Sequence, residues 1–291
     1  MATRSRADSG KFATSTVHQA RLRIFQPTRR PRHIDTVIVT SWGRVRIVGR
    51  LGEIHADVFE SMCFTALEAI RTTDGRLKLL VDPSRVKREA RQSSGTTFLG
   101  IRDDLVAALI EIAEPAHLSC VGHLIDHIGN AQRADGSYIT AKNPLGGRRR
   151  GWGRMGKHAA ERHLWCVEVG KAALKLFRED LLMHHSPAPI ASLRHGISQA
   201  VARHYLSHRG GSCESWGIDT WIHAVAGDIS EKDLWARRAE LSADVEILAA
   251  MGVTLRIEQK LGGVEQKLGG VEQKLGGVEQ KLGIQGSLQD L

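Results

Sequence analysis

Three apolar-periodic segments and then a β-branched run occupy residues 193–258, and that order limits the chain more than any other stretch. The first segment runs from His195 to His208. The second is Trp216-Gly-Ile-Asp-Thr-Trp-Ile-His-Ala-Val225, and after Gly227-Asp228 a charged third extends from Ser230 to Met251. Val253-Thr-Leu-Arg-Ile257 then has strand character. Three helices followed by a strand where a wing would sit predict a winged helix-turn-helix.

The partner implied by charge is a polyanion. A formal net charge of +9 favours phosphate neutralisation, although charge alone does not separate DNA from RNA or an acidic membrane surface. Cys63, Cys120, Cys166 and Cys213 are too scattered for a disulfide scaffold or a zinc ribbon and are expected to be reduced. The segment 1–11 leads into no apolar signal region and no run approaches membrane-spanning length, so a soluble, cytoplasmic protein with no membrane partner is expected.

Residues 1–32 hold five arginines between Arg21 and Arg32, either a solvated tail or a flexible basic arm that touches phosphate. Strands are predicted at 34–39 and 45–48 around a turn at Ser41-Trp-Gly43, a buried helix at 57–70 and a strand at 77–81. A short helix follows at 83–90, with Asp82 as N-cap and Pro83 in its first turn, then a longer one at 100–113 and a strand pair at 118–121 and 124–128. This repeats the element order of 193–258. The predicted fold class is therefore α+β with two tandem winged helix-turn-helix domains, at 33–180 and 181–260.

The first of them contains a basic loop, 142–157, with Lys142, Arg148, Arg149, Arg150, Arg154 and Lys157 placed as a wing tip beside phosphates or in a merely solvated loop. Strand 163–169, a short helix at 171–177 and a connector at 181–189 complete the first half. The tail, 261–291, repeats Glu-Gln-Lys-Leu-Gly-Gly-Val every seven residues. Its apolar positions alternate by four and three as in a coiled coil, but paired glycines cost roughly 1 kcal/mol each against helix. A weakly ordered tail is expected. Seven residues correspond to twenty-one nucleotides, near two turns of B-DNA, so the tail reads as a trace of DNA direct repeats.

In the third segment, Leu234, Leu241, Val245 and Leu248 form the buried stripe, leaving Lys232, Arg237 and Arg238 for base or phosphate contact or for a solvated charged face. In the first half Arg85, Lys87 and Arg88 are the matching cations. Ser93, Ser94, Thr96 and Thr97 precede the longer helix as phosphate donors or as caps, and Arg102 lies along it. His117, Cys120, His123 and His127 would scatter over two strand faces, so no metal is expected. No Walker A, HExxH or GxSxG motif is present, so no cofactor and no catalytic residue are assigned.

Ala202-Arg-His-Tyr-Leu-Ser-His208, Gly217-Ile-Asp-Thr-Trp221 and Leu234-Trp-Ala-Arg-Arg-Ala-Glu-Leu241 resemble the second winged helix of iteron-binding plasmid replication initiators. Residues 53–128 resemble the first more loosely. The resemblance implies that Arg237 and Arg238 belong to the recognition helix and that Arg203 takes the place of the family's arginine in the preceding helix. It also implies origin recognition: binding to direct repeats in double-stranded DNA, opening of adjacent DNA, recruitment of a helicase and other replication proteins, and a homodimer as the inactive or autorepressing form. The basic loop and the heptad tail depart from the family. A winged-helix transcriptional repressor, a DNA nuclease or relaxase, and an RNA-binding protein remain the alternatives.

Overall fold

The computed structural model describes residues 4–5, 12–142, 161–208 and 216–255. The basic side chains of Arg148, Arg149, Arg150 and Arg154, the heptad tail and Cys213 lie outside the described residues.

The fold is α+β with antiparallel sheets. In chain order the first half has β1 (Arg4–Ser5), β2 (Ser15–Thr16), α1 (Val17–Arg21), β3 (Ile34–Thr40), β4 (Gly43–Gly49), α2 (Glu53–Phe64), β5 (Glu68–Arg71), β6 (Leu77–Val81), α3 (Pro83–Glu89), α4 (Gly95–Ala107) and β7 (Leu109–Glu114). A single 3-10 turn precedes β8 (Cys120–His123), β9 (Ile125–Asn130), β10 (Thr140–Lys142), β11 (Glu161–His163), β12 (Trp165–Val169) and α5 (Lys171–Glu179). The second half has β13 (Leu182–Met183), α6 (Pro187–Ala191), α7 (Gly196–Leu206), α8 (Ile218–Ala226), α9 (Glu231–Ala243) and α10 (Val245–Ala250).

Two sheets, ordered β3-β4-β7-β8 and β1-β5-β6-β12-β9, pack with α2, α4 and α5 around one apolar cluster that includes Ile47, Phe59, Leu79, Leu105 and Ile110. The strands predicted at 118–121 and 124–128 form no hairpin. β8 pairs with β7 in one sheet and β9 with β12 in the other, so the chain crosses between sheets at the fully buried Leu124. The helix predicted at 57–70 runs from Glu53 to Phe64 instead, and Ile70 lies in β5, paired across to Lys78. Likewise the helix placed at 100–113 starts at Gly95, where Ser94 caps it, and gives way to β7, whose Ile110 and Ile112 alternate inward against β4.

A second apolar cluster, around Trp221, Ile222, Val201, Leu241 and Leu248, belongs to the helices of the second half. The charged segment 230–251 is two helices broken at Asp244. The strand predicted at 253–257 is not formed over 253–255. Gly252, at φ +80°, ends α10, with Val253 N–H donating to the Leu248 carbonyl (2.9 Å) and Gly252 N–H to that of Ala249 (3.0 Å). This is a Schellman motif, whose hydrophobic residue just past the glycine packs back on the helix. The buried Val253 fills that role instead of entering a ladder.

Residues 12–32 are no flexible arm. Leu22, Ile24 and Phe25 belong to the first apolar cluster, while Arg21 donates to the Ser207 hydroxyl and carbonyl, and Arg29 to the Leu193 carbonyl (3.1 Å). Apolar residues between the arginines draw the strap inward, and carbonyls of the second half satisfy two of the guanidiniums. The arm thereby becomes a tie between the halves.

Candidate nucleic-acid interface

Each half contains a helix, a short turn and a thirteen-residue helix: α3 with α4, and α8 with α9. Both long helices start from a serine N-cap. Ser94 Oγ accepts from the Thr97 amide (3.3 Å) and Ser230 Oγ from the Asp233 amide (3.1 Å). Aligned on those caps, the helices agree at several positions and differ at others, where the buried Ile101 of α4 corresponds to the half-buried Arg237 of α9. Leu105 and Leu241 are fully buried, Arg102 and Arg238 are half-buried, and Leu99 and Trp235 are exposed by 43% and 71%. Gly100 and Ala236 follow them, also exposed. A helix in a groove needs one buried side and one free face; α4 buries Phe98, Ile101 and Leu105, α9 buries Leu241 with Leu234 half-buried, and each leaves the opposite face open.

In the first half Phe98 stacks on Trp165 of β12, with ring centroids 5.5 Å apart, so α4 rests on the β9–β12 ladder. Between β9 and β12 in the chain, β10 and β11 pair as a separate two-stranded sheet, and Lys142 at the end of β10 and Glu161 at the start of β11 bound the stretch of sequence that carries the four arginines of the basic loop. Arg162 on β11 holds the ladder to α3 by pairing with Asp82, the residue that also caps α3 through the Ser84 amide (2.9 Å). Burial works against the Asp82 carboxylate, but Arg162 and the Ser84 amide keep its pKa below the usual range.

The sequence-predicted contact residues fall into three groups. Arg85, Arg88, Ser93, Ser94, Thr96, Thr97 and Lys232 are exposed, and Lys87 is half-buried. Arg102, Arg237 and Arg238 are half-buried and each pairs with a carboxylate of its own half: Asp103 (2.7 Å), Glu240 (2.8 Å) and Asp219. Ser94 acts as a cap in the structure.

Arg203 stands apart and corrects the expectation of a DNA contact. It is 4% exposed, and its guanidinium points into the junction of the halves, where it meets three carboxylates of α2. Its Nε donates to Glu60 (3.0 Å), one Nη to Asp57 (2.7 Å) and the other to Glu53. Gln199 also donates to Asp57 (3.1 Å), and His185 lies 4.0 Å from Glu60. Burial, reinforced by Asp57 and Glu60 and opposed by Arg203, pushes Glu53 up to about 8. Burial likewise raises Asp57. The three carboxylates outweigh the burial of Arg203 and raise its pKa, so it stays charged.

This cluster had a signal in the sequence. Glu53, Asp57 and Glu60 are spaced four and three apart on one face of a helix whose other positions are mostly apolar, a row that needs a buried cation. Trp235 had one too, an aromatic outside the apolar stripe of its helix.

Because the folded pKa of Glu53 lies above its unfolded value, its contribution to stability is complete below about 4.5 and is lost as pH rises through about 8. Stability should therefore fall between pH 6 and 8 by at most about 1.4 kcal/mol per unit, the limit for one proton. Urea unfolding at several pH values should show this slope flattened in Glu53→Gln, which keeps an oxygen for Arg203. An unchanged slope would assign the titration elsewhere.

Cys63 is buried and Cys120 and Cys166 are half-buried, all with free thiols. The metal candidates do not converge: Cys120 and His123 lie on β8, and His127 lies on β9 in the other sheet. Among the described residues no group of three or more His, Cys, Asp or Glu is placed to hold a metal ion, and no helix is long and apolar enough to cross a membrane. A cleft of about 550 Å³ lies beside a His18–Asp180 pair (Nδ1 to Oδ1, 2.7 Å), with Trp42 and Arg21 packed at 3.9 Å. Ser207, the hydroxyl lining this cleft, is occupied by Arg21 and the His204 carbonyl. Comparison with known proteins gives no match to any family model, curated protein or solved structure.

Proposed function

We propose that the chain binds double-stranded DNA through α3–α4 and α8–α9, acting as tandem winged-helix modules at direct repeats, and that it serves as a replication initiator of the plasmid type. The observation that carries this reading is that α4 and α9 each follow a shorter helix, start from a serine cap, reach the same length and set a buried leucine, Leu105 or Leu241, against an exposed apolar side chain, Leu99 or Trp235. Two units built to one plan suit a target that repeats. The exposed Arg85 and Arg88 on α3 and, in the sequence, the four arginines of the basic loop give the first half its positive charge. Residues 12–32 and the Arg203 cluster fix the halves to each other, so the modules approach DNA as one body.

Transcriptional repression would use the same surfaces and differs in the target. Footprinting on the DNA that flanks the gene separates the two. Regular protection of tandem repeats is the expected result, and a single protected palindrome would mean repression. Strand cleavage would overturn the non-enzymatic reading.

A further inference from the structure

The free faces of α4 and α9 are unlike those of helices that read guanine. Guanine is read by two-pronged arginine or lysine, and the three arginines of these helices are each engaged with a neighbouring carboxylate. The charged side chains of α9 sum to zero, with Lys232, Arg237 and Arg238 against Glu231, Asp233 and Glu240. What the two helices hold out instead is apolar. Trp235 is the most exposed large apolar side chain among the described residues; Ala239, one turn on, shares its face, and the adjacent Ala236 is exposed as well. At the equivalent place α4 presents Leu99, then Gly100.

Gly100 has no fold-based reason to be glycine. A β-carbon there would meet nothing within 4 Å, its φ is not left-handed, and glycine weakens a helix interior. A bare backbone at that position matters only to something approaching from outside. The apolar group on the major-groove floor of a DNA duplex is the 5-methyl of thymine.

The geometry points to thymine methyls as the feature that this protein reads, with Trp235 on α9 and Leu99 on α4 as the specificity-determining residues. The inference rests on the DNA-binding reading and adds the base. Helices without net positive charge suit it, α9 being neutral and α4 carrying Arg102 against Asp103 and Asp104, because affinity is left to cations outside them such as Arg85 and Arg88 on α3, which carry no sequence information at phosphate. The small residues beside each apolar side chain let the helix settle close enough for a methyl contact.

The test uses the full chain. Duplexes selected from a random pool are resynthesised with uracil for thymine, one position at a time, which removes the methyl and preserves pairing. Each contacted thymine should weaken binding about fourfold when replaced, the value of one buried methyl group. Trp235→Ala and Leu99→Ala should abolish the thymine-over-uracil preference at separate positions. Gly100→Ala should raise the unfolding midpoint while weakening binding to the selected duplex. Selected duplexes indifferent to uracil but weakened by 7-deazaguanine would overturn the inference and leave the DNA reading standing. No preference for any duplex over a scrambled competitor would end both.

Discussion

Replacing Arg203 with alanine should cost about 3–5 kcal/mol, the usual penalty for removing one partner of a buried ionic group. Glu53, Asp57 and Glu60 would be left together without their cation in a site where Glu53 and Asp57 are already pushed toward their neutral forms. Urea unfolding should show a large fall in midpoint, and proteolysis should begin at the junction of the halves, since the four side chains belong to α2 and α7. Arg203→Lys should fall in between, because an ammonium keeps the charge but lacks the fork that reaches three carboxylates. Combining Arg203→Met with Glu53→Gln, Asp57→Asn and Glu60→Gln should recover part of the loss by removing the stranded charges. A stability equal to wild type in Arg203→Ala would mean that the cluster does not hold the halves.

Asp244→Ala should cost about 2–4 kcal/mol, with the effect concentrated in the second half. The Asp244 carboxylate is fully buried at the break between α9 and α10 and accepts the backbone N–H groups of Arg194 (3.2 Å) and His195 (3.1 Å). The start of α7 has no side-chain cap of its own. Asp244 supplies one from about fifty residues away and so fixes the end of α9 against α7. Hydrogen bonds to a charged group contribute roughly 1.5–3 kcal/mol each, and their loss leaves buried amides unpaired. Asp244→Asn, which keeps an acceptor, should cost less. Thermal unfolding of the two variants provides the check, and equal midpoints for alanine and wild type would remove this cap from the account.

Where local pattern determined an element, the sequence was sufficient. Asp82 and Pro83 start α3 as read, and the strands around Ser41 and Trp42 pair in a simple hairpin from Thr40 to Gly43. Failures occurred where tertiary packing decided the outcome. Apolar runs such as 109–113 suit helix or strand equally, and pairing with β4 makes this one a strand. Val253 has strand propensity, but Gly252 before it closes a helix and turns the valine into a packing residue. For the candidate site, caps and helix faces were legible because they are local. Arg203 was not, since its partners lie about 150 positions earlier in the chain and only the fold brings them within reach. Arg238 is similar, its partner Asp219 lying on the preceding helix, whereas Arg237 pairs with Glu240 three residues on, a local pairing in keeping with the charged face that the sequence offered as the alternative.

Two helix-turn-helix segments gripping one duplex is the central claim, and hydroxyl-radical footprinting of the full chain on a selected duplex tests it most directly. Wild type should protect two separate patches. Arg85→Ala combined with Leu99→Ala should erase one patch, and Lys232→Ala combined with Trp235→Ala the other, with the fold intact by circular dichroism because all four side chains are exposed. A single patch that survives either pair of substitutions, or no protection at all, would contradict the claim.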